Sequence, residues 1–379
     1  MPHRRAASRL YNNQQLLAIL WQTVGPKTSR HTSTMAVEPL IHIPLYCWRD
    51  APDYAMRGMV EQHLVCLESY FAHANTYDLL VTTNDRRPLE IFWAYKQKTG
   101  YGFKIKFVTD NDLLSVFKID QNLLEDIPST RCIFSKFYPI LNREADAIVH
   151  VDFDTMFTGT IDLSALLTSD IGLVDANRFM VEEQRWEPTP QQAEFFQLQN
   201  SRPPTWNWIN SGVFAVQGRG FDMLAAEVSH YLDNLERAVE DDIHHFTDEI
   251  VMNALAIRER DAVTVSPDYR LNFLSYYLQY DPAWTTRPLI VHFQSLKPDM
   301  FWYREGGLNH RCDSDNQILI SRVNEDVYLA VLMWYRHLHA ATEGLPYLFS
   351  LLEAIPSDVV ERELAIRSDR ARVPSHGYA

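Results

Sequence analysis

An α/β fold built on a largely parallel sheet is what this sequence predicts, and two observations predict it. Short apolar runs recur between Pro39 and Phe293, separated by stretches whose apolar residues fall at helical spacing. Most of the runs are predominantly apolar, as expected of strands covered by helices on both faces. With 379 residues, 46% of them hydrophobic and 12% aromatic, the chain has ample material for such a core.

In chain order, "LIHIPLYCW" is the first expected strand, followed by an amphipathic helix from Tyr54 to Ala72. "YDLLVTT" is the second, with a helix through Leu89 to Lys98; "FKIKFVT" is the third and "AIVHVDF" the fourth. "DIGLVDA" adds another, and the polar, Pro-containing stretch from Glu182 to Pro204 is a long excursion of the kind that often covers a site. "INSGVFAV" and "PLIVHF" are two further strands, and from about Asp315 the pattern becomes helical. The expected organisation is a leader (1–38), a main α/β domain (39–310) and a helical C-terminal segment (311–379).

Charge narrows the function classes. The net charge is −14, which argues against a general nucleic-acid binder. Residues 1–37 hold Arg4, Arg5, Arg9, Lys27 and Arg30 and no acid, so the start is expected to be a loosely ordered leader, a targeting segment or a membrane-touching arm. Its apolar run, Leu16 to Trp21, is too short for a bilayer span of about 20 residues. Cys47, Cys66, Cys132 and Cys312 form no Cys-x-x-Cys pair and suit ordinary thiols in a reducing, cytoplasmic setting. Neither a Walker loop nor a Gly-x-Gly-x-x-Gly is present, so a bound phosphate must be held in another way.

The fourth strand raises the question of chemistry, because it runs into Asp152 and Asp154. If the strand continued through them, the two would face the same side with α-carbons roughly 6.6 Å apart. They would then lie at the carboxyl end of the sheet, where open α/β folds bind ligands. Paired carboxylates suit a hard divalent cation, Mn²⁺ or Mg²⁺, which in turn can bridge a diphosphate. Taken alone, Asp-x-Asp also fits a strand-ending turn.

The surroundings of the pair are more specific. "FSKFYPILNREADAIVHVDFDTMFTGTIDLSALL" resembles the Asp-x-Asp region of GT-A glycosyltransferases, especially glycosyltransferase family 8. "WNWINSGVFAV", "FTDEIVMNAL", "IVHFQSLKP" and "CWRDAPDYAMR" are similar to other segments of that family, in family order over residues 39 to 310. The resemblance implies a GT-A fold: a twisted, mostly parallel central sheet flanked by helices, with a Rossmann-like nucleotide-binding half. It also implies transfer of a hexose from a nucleotide-diphosphate sugar, a UDP-sugar by expectation, with retention at the anomeric carbon. The acceptor is left open among glycan, protein, lipid and small molecule, and the C-terminal helices are a candidate homodimer surface. A non-catalytic nucleotide-sugar-binding protein on the same fold is the alternative. A haloacid-dehalogenase-type phosphohydrolase fits less well, since Met156 stands where that motif needs threonine or valine.

Carried over residue by residue, the resemblance implies a metal held by Asp152, Asp154 and His292, with Asp152 also near the ribose. Lys136 and Lys297 would add positive charge near the donor, while Tyr54 and Asp50 would meet the base. Asn210 and Asp248 would face the sugar. The family usually has glutamine where Glu249 stands, which leaves that residue open between a carboxylate at the anomeric carbon and a helix-start acid. His150 is expected to be a core residue. Only four residues, none of them glycine, separate His292 from Lys297, against the family's usual five with a glycine. Binding is therefore expected to lean on the cation more than on that loop.

Overall fold

The structure is a computed structural model that describes residues 38–47, 53–119, 121, 130–175, 189–195, 209–240, 247–274, 287–293, 309–312, 318–321, 325–345 and 357–370. All of these belong to the unit Glu38–Ala379. The leader lies almost wholly outside the described residues, as do most of the Glu182–Pro204 stretch, His244 and His245.

The first half alternates as expected: β1 (Leu40–Leu45), α1 (Asp53–Ala72), β2 (Leu79–Thr83), α2 (Arg86–Thr99), β3 (Lys104–Phe107), α3 (Asp110–Phe117), α4 (Thr130–Leu141) and β4 (Ala147–Val151). Helix starts follow side-chain chemistry. Asp85 caps α2 by accepting from the Arg87 N–H at 2.8 Å, and Thr109 with Asp112 closes a capping box on α3. The second half holds β5 (Thr155–Phe157), β6 (Ile171–Val174), α5 (Pro190–Phe195), β7 (Val213–Gln217), α6 (Gly220–Asp233), α7 (Leu235–Glu240), α8 (Thr247–Arg258), β8 (Val263–Ser266), β9 (Phe273–Leu274) and β10 (Ile290–His292). The described C-terminal residues form β11 (Asn309–Cys312), β12 (Ile318–Ser321), α9 (Glu325–Thr342) and α10 (Ser357–Arg370).

The central sheet has the order β3-β2-β1-β4-β7-β6-β8. Its strands run parallel except β7, which is antiparallel to both β4 and β6. The mostly parallel α/β sheet with flanking helices is thus as expected, with one reversed strand that periodicity does not reveal. Two expectations need correction. "PLIVHF" does not join this sheet: β10 pairs with β5 and β9 in a separate three-stranded sheet. Nor is the chain uniformly helical after Asp315, because Ile318–Ser321 pairs back on Asn309–Cys312 as a hairpin before α9 begins. The run "ILIS", with β-branched Ile318 and Ile320, suits a strand, and helical spacing could not separate it from the helix that follows.

Alternate residues of the strands serve two cores. Ile148 and Phe214 face the layer of α3, α4, α6 and α8, while Val149, Val151 and Ala215 face that of α1 and α2. Helix α1 is buried nearly all round, since α9 covers its outer side and the Lys98 Nζ donates to the Ala340 and Ala341 carbonyls near the end of α9. No helix among the described residues is long and apolar enough to cross a membrane.

Burial of histidines in this double core has a measurable consequence. Burial pulls the His63 pKa from 6.5 down to about 3. Burial, and then the charges of His73 and Arg336, pulls His337 to about 4. The unfolded chain takes up protons at these sites from about pH 6.5, whereas the folded chain does not until the pH approaches 4. Stability is therefore expected to fall with pH across that window, by up to about 1.4 kcal/mol per pH unit for each histidine. Urea unfolding at pH 7, 6 and 5 tests this. A His63→Phe variant should show a shallower decline, and equal slopes would remove His63 from the account.

Candidate functional site

The fourth strand does not continue through the aspartates. β4 stops at Val151, and a turn at Phe153–Asp154 leads into β5. Asp152 and Asp154 therefore do not converge by strand alternation. What brings chemistry together at the carboxyl end of β4 is the reversal of β7 and the return of β10. Because β7 runs against β4, its N-terminal approach lies beside the end of β4, and the Asp152 N–H donates to the Gly212 carbonyl at 2.8 Å. β10 runs antiparallel to β5 with His292 opposite Thr155, and the Phe293 N–H donates to the Asp154 carbonyl at 2.9 Å. The start of α8 supplies Asp248 and Glu249 at the same place.

A buried ammonium links these groups. Lys136 on α4, with its side chain 9% exposed, donates to Asp152 Oδ2 at 2.9 Å and to Asp248 Oδ2 at 2.6 Å. Its Nζ also reaches Ser211 Oγ at 3.0 Å, and that hydroxyl donates to Asp248 Oδ2 at 2.5 Å. Lys136 is therefore not an exposed helix charge. Burial pushes the Asp152 carboxyl up in pKa, but the Lys136 charge and the His150 hydrogen bond together hold it below the usual range. Among the described residues, Asp152, Asp154, Asp248 and Glu249 nevertheless set four carboxyl groups around this ammonium.

The protons around His292 can be assigned from backbone groups. The Gly212 N–H needs an acceptor and finds Asn210 Oδ1 at 2.9 Å, which turns the Asn210 Nδ2 toward Glu249 Oε1 at 2.5 Å. Asn272 Nδ2 donates to the Asn210 carbonyl at 3.3 Å and to Asn210 Oδ1 at 3.0 Å. The Asn272 Oδ1 is thereby left facing His292. His292 Nδ1 then meets two amide oxygens, Asn210 Oδ1 and Asn272 Oδ1, each at 3.1 Å, so it carries the ring proton. Nε2 points at Asp154 Oδ1, 3.2 Å away, and at Asp152 Oδ2, 3.6 Å away. That arrangement suits either a proton on Nε2 or a cation shared between the ring nitrogen and the carboxylates.

The donor set fits a divalent cation. One ligand atom from each of Asp152, Asp154 and His292 lies within 4.8 Å of the others. Adjacent corners of an octahedron with bonds of about 2.1 Å are about 3.0 Å apart, close to the spacings from His292 to the carboxylates. Gly212 makes the arrangement possible, since a Cβ there would fall 2.3 Å from His292 Cε1 and 2.4 Å from its Nδ1.

Of the residues singled out in the sequence, Lys136, Asp152, Asp154, Asn210, Asp248, Glu249 and His292 meet here. Asp50 and Lys297 lie outside the described residues, and Tyr54 falls in the first turn of α1 with its side chain likewise outside them. Sequence reasoning missed Asn272, a lone asparagine in a short helical turn with no motif around it. It also missed that His150 touches the site: His150 Nε2 lies 2.9 Å from Asp152 Oδ1. Cys66 lies nearby, its Sγ 3.2 Å from Thr155 Oγ1, and burial pushes its thiol up to about 12. At the same sheet edge, beyond β1, β2 and β3, a cleft of about 670 Å³ is lined by Cys47, Asn84, Asp85, Phe107, Thr109 and Asp110 among others.

No protein-family model matches the chain, and no curated protein matches it. Solved structures to which it is similar include mouse xyloside xylosyltransferase 1 in its apo form, at 14% identity and a TM-score of 0.43 over 69% of this chain and 99% of that one. They also include the galactosyltransferase LgtC in complex with donor and acceptor sugar analogs, at 14% identity and a TM-score of 0.41 over 70% and 90% of the chains. The bifunctional glycosyltransferase WbbM in its apo structure matches at 15% identity and a TM-score of 0.42, over 70% of this chain and 47% of its own.

Proposed function

We propose that this chain is a metal-dependent GT-A glycosyltransferase of the family 8 type, transferring a hexose from a UDP-sugar with retention of anomeric configuration. The observation that carries the metal site is the convergence of one ligand atom from each of Asp152, Asp154 and His292 within 4.8 Å of one another. The Asp-x-Asp context and segment order support the donor class. The cleft at the carboxyl ends of β1, β2 and β3 supports a nucleoside bound on that side, with Tyr54 and Asp50 at the base and Lys297 at the diphosphate.

Asp152, Asp154 and His292 hold Mn²⁺ or Mg²⁺ in this proposal. When bound, such a cation supplies Lewis-acid stabilisation of the negative charge that builds on the leaving diphosphate. Lys136 bridges Asp152 and Asp248, and its charge helps hold the Asp152 carboxyl below its usual range. Asn210 has its amide oxygen on Gly212, His292 and Asn272 and its amide nitrogen on Glu249, so it serves as a positioning residue that ties the metal ligand to the helix-start acid. Asp248 Oδ2 is engaged by Lys136 and Ser211 and Glu249 Oε1 by Asn210, and in this proposal both acids face the donor sugar from the start of α8. Residues 39–310 would form the catalytic domain, and 311–379 a C-terminal addition that closes over α1.

The test is UDP and UDP-hexose binding by calorimetry with and without Mn²⁺, followed by UDP release from the same sugars without acceptor. Mn²⁺-dependent UDP binding with slow hydrolysis is the expected result. UDP binding that ignores chelation would reject the metal-dependent reading. Mn²⁺-dependent binding with no hydrolysis or transfer would favour the non-catalytic binder.

A further inference from the structure

A line of polar side chains crosses the core of the sheet behind the metal site. Thr82 Oγ1 on β2 lies 2.8 Å from His42 Nε2 on β1. His42 Nδ1 lies 3.4 Å from His150 Nδ1 on β4, and His150 Nε2 lies 2.9 Å from Asp152 Oδ1. Strands β2, β1 and β4 are neighbours, and His42 and His150 are direct partners in the parallel register. The i, i+2 relation that was expected of Asp152 and Asp154 is realised by His150 and Asp152.

We propose that His150, backed by His42 and Thr82, is a positioning residue that sets the orientation of the Asp152 carboxylate for cation binding. The inference rests on the metal-site reading of Asp152. Its direction follows from hydrogen-bond chemistry. An ionised carboxylate only accepts, so His150 carries its proton on Nε2 and leaves Nδ1 bare. Facing that bare nitrogen, His42 carries its proton on Nδ1, and its own Nε2 accepts from the Thr82 hydroxyl. Every proton position along the line is thus dictated from the carboxylate end.

Packing does not explain these residues. Both imidazoles are fully buried, and His150 stacks on Phe214 with ring centroids 4.8 Å apart. An apolar ring would fill the same place without the cost of burying two imidazoles. His63 provides the contrast: it is equally buried against Phe92, and neither ring nitrogen has a hydrogen-bond partner. The line has a consequence at its end. With Oδ1 taken by His150, Asp152 presents Oδ2 toward Lys136 and His292. Partners behind a metal ligand commonly govern affinity in this way.

The experiment measures Mn²⁺ alone, without donor, by calorimetry and by electron paramagnetic resonance on the full chain. His150→Phe keeps the stacked ring and removes the N–H, and is expected to weaken Mn²⁺ binding by about 10- to 100-fold without lowering Tm. His150→Gln restores an N–H near the Nε2 position and should recover most of the affinity. A purely structural role would instead lower Tm and leave Mn²⁺ binding alone. In the parent, ¹⁵N-edited spectra of the histidines should show His150 protonated at Nε2 and His42 at Nδ1. Parental Mn²⁺ affinity in His150→Phe, or the opposite tautomers in the parent, overturns the proposal. A parent that binds no Mn²⁺ defeats the metal reading itself and this inference with it.

Discussion

Asp154→Asn is expected to abolish divalent-cation binding, with a loss on the order of 100-fold or more in Mn²⁺ affinity, while the fold stays intact. Asp154 Oδ1 lies 3.2 Å from His292 Nε2, and an amide removes the charge that the proposed cation site depends on. Loss of a direct ligand should reach at least the upper end of the 10- to 100-fold range seen when partners behind a ligand are removed. The backbone at this position is held independently, by the Phe293 N–H on the Asp154 carbonyl and by the β5–β10 pairing next to it. Tm without metal should therefore change little. Asp152→Asn should differ, since it also removes a partner of Lys136 and so lowers Tm as well as affinity. Mn²⁺ titration of both variants, with Tm measured under chelation, separates the two effects. Parental affinity in Asp154→Asn would show that the ion, if bound, sits elsewhere.

Lys136→Met is expected to be among the most destabilising single changes in the molecule, by about 3–5 kcal/mol at pH 7, because it strips the counter-charge from two carboxylates at once. Asp152 and Asp248 both end on its Nζ within 2.9 Å, and the side chain that makes the bridge is 9% exposed. Methionine fills most of the stem's volume, so the loss reports charge and not a cavity. The double variant Lys136→Met/Asp248→Asn should regain part of the stability, since one of the orphaned charges is removed with its partner. Urea unfolding of the parent, the single variants and the double variant measures the coupling. A loss under about 1 kcal/mol in the single variant would mean that water or a rearranged partner solvates the pair.

Much of this site was visible before folding. The Asp-x-Asp pair, the asparagine before Ser211–Gly212, the acids opening α8 and His292 were each singled out from motif context, and the apolar runs located the strands that carry them. His150 was visible as a residue but not as a participant, because a buried histidine has the same sequence signature whether it packs, as His63 does in α1, or backs a carboxylate. Lys136 was equally ambiguous between solvent and ion pair, since its burial depends on α4 lying against the end of the sheet. Asn272 carried no signal at all.

The boundary between what was legible and what was not follows the range of the forces involved. Strand and helix identity are local: apolar periodicity over five to twenty residues is enough to specify which backbone groups pair with near neighbours and which face is buried. The sequence by itself therefore determined the α/β alternation, the run of apolar residues that ends at Asp152 and the residue types available for chemistry. Strand direction and sheet order leave no local trace, because a residue buried on both faces has the same composition in a parallel or an antiparallel neighbour. The tertiary structure alone decided that β7 runs backward beside β4, that β10 leaves the main sheet to pair with β5, and that α8 begins at their junction. Those three non-local arrangements bring residues from Lys136 to His292 within hydrogen-bond distance of one another, and they turn a strand-end motif into a candidate cation site.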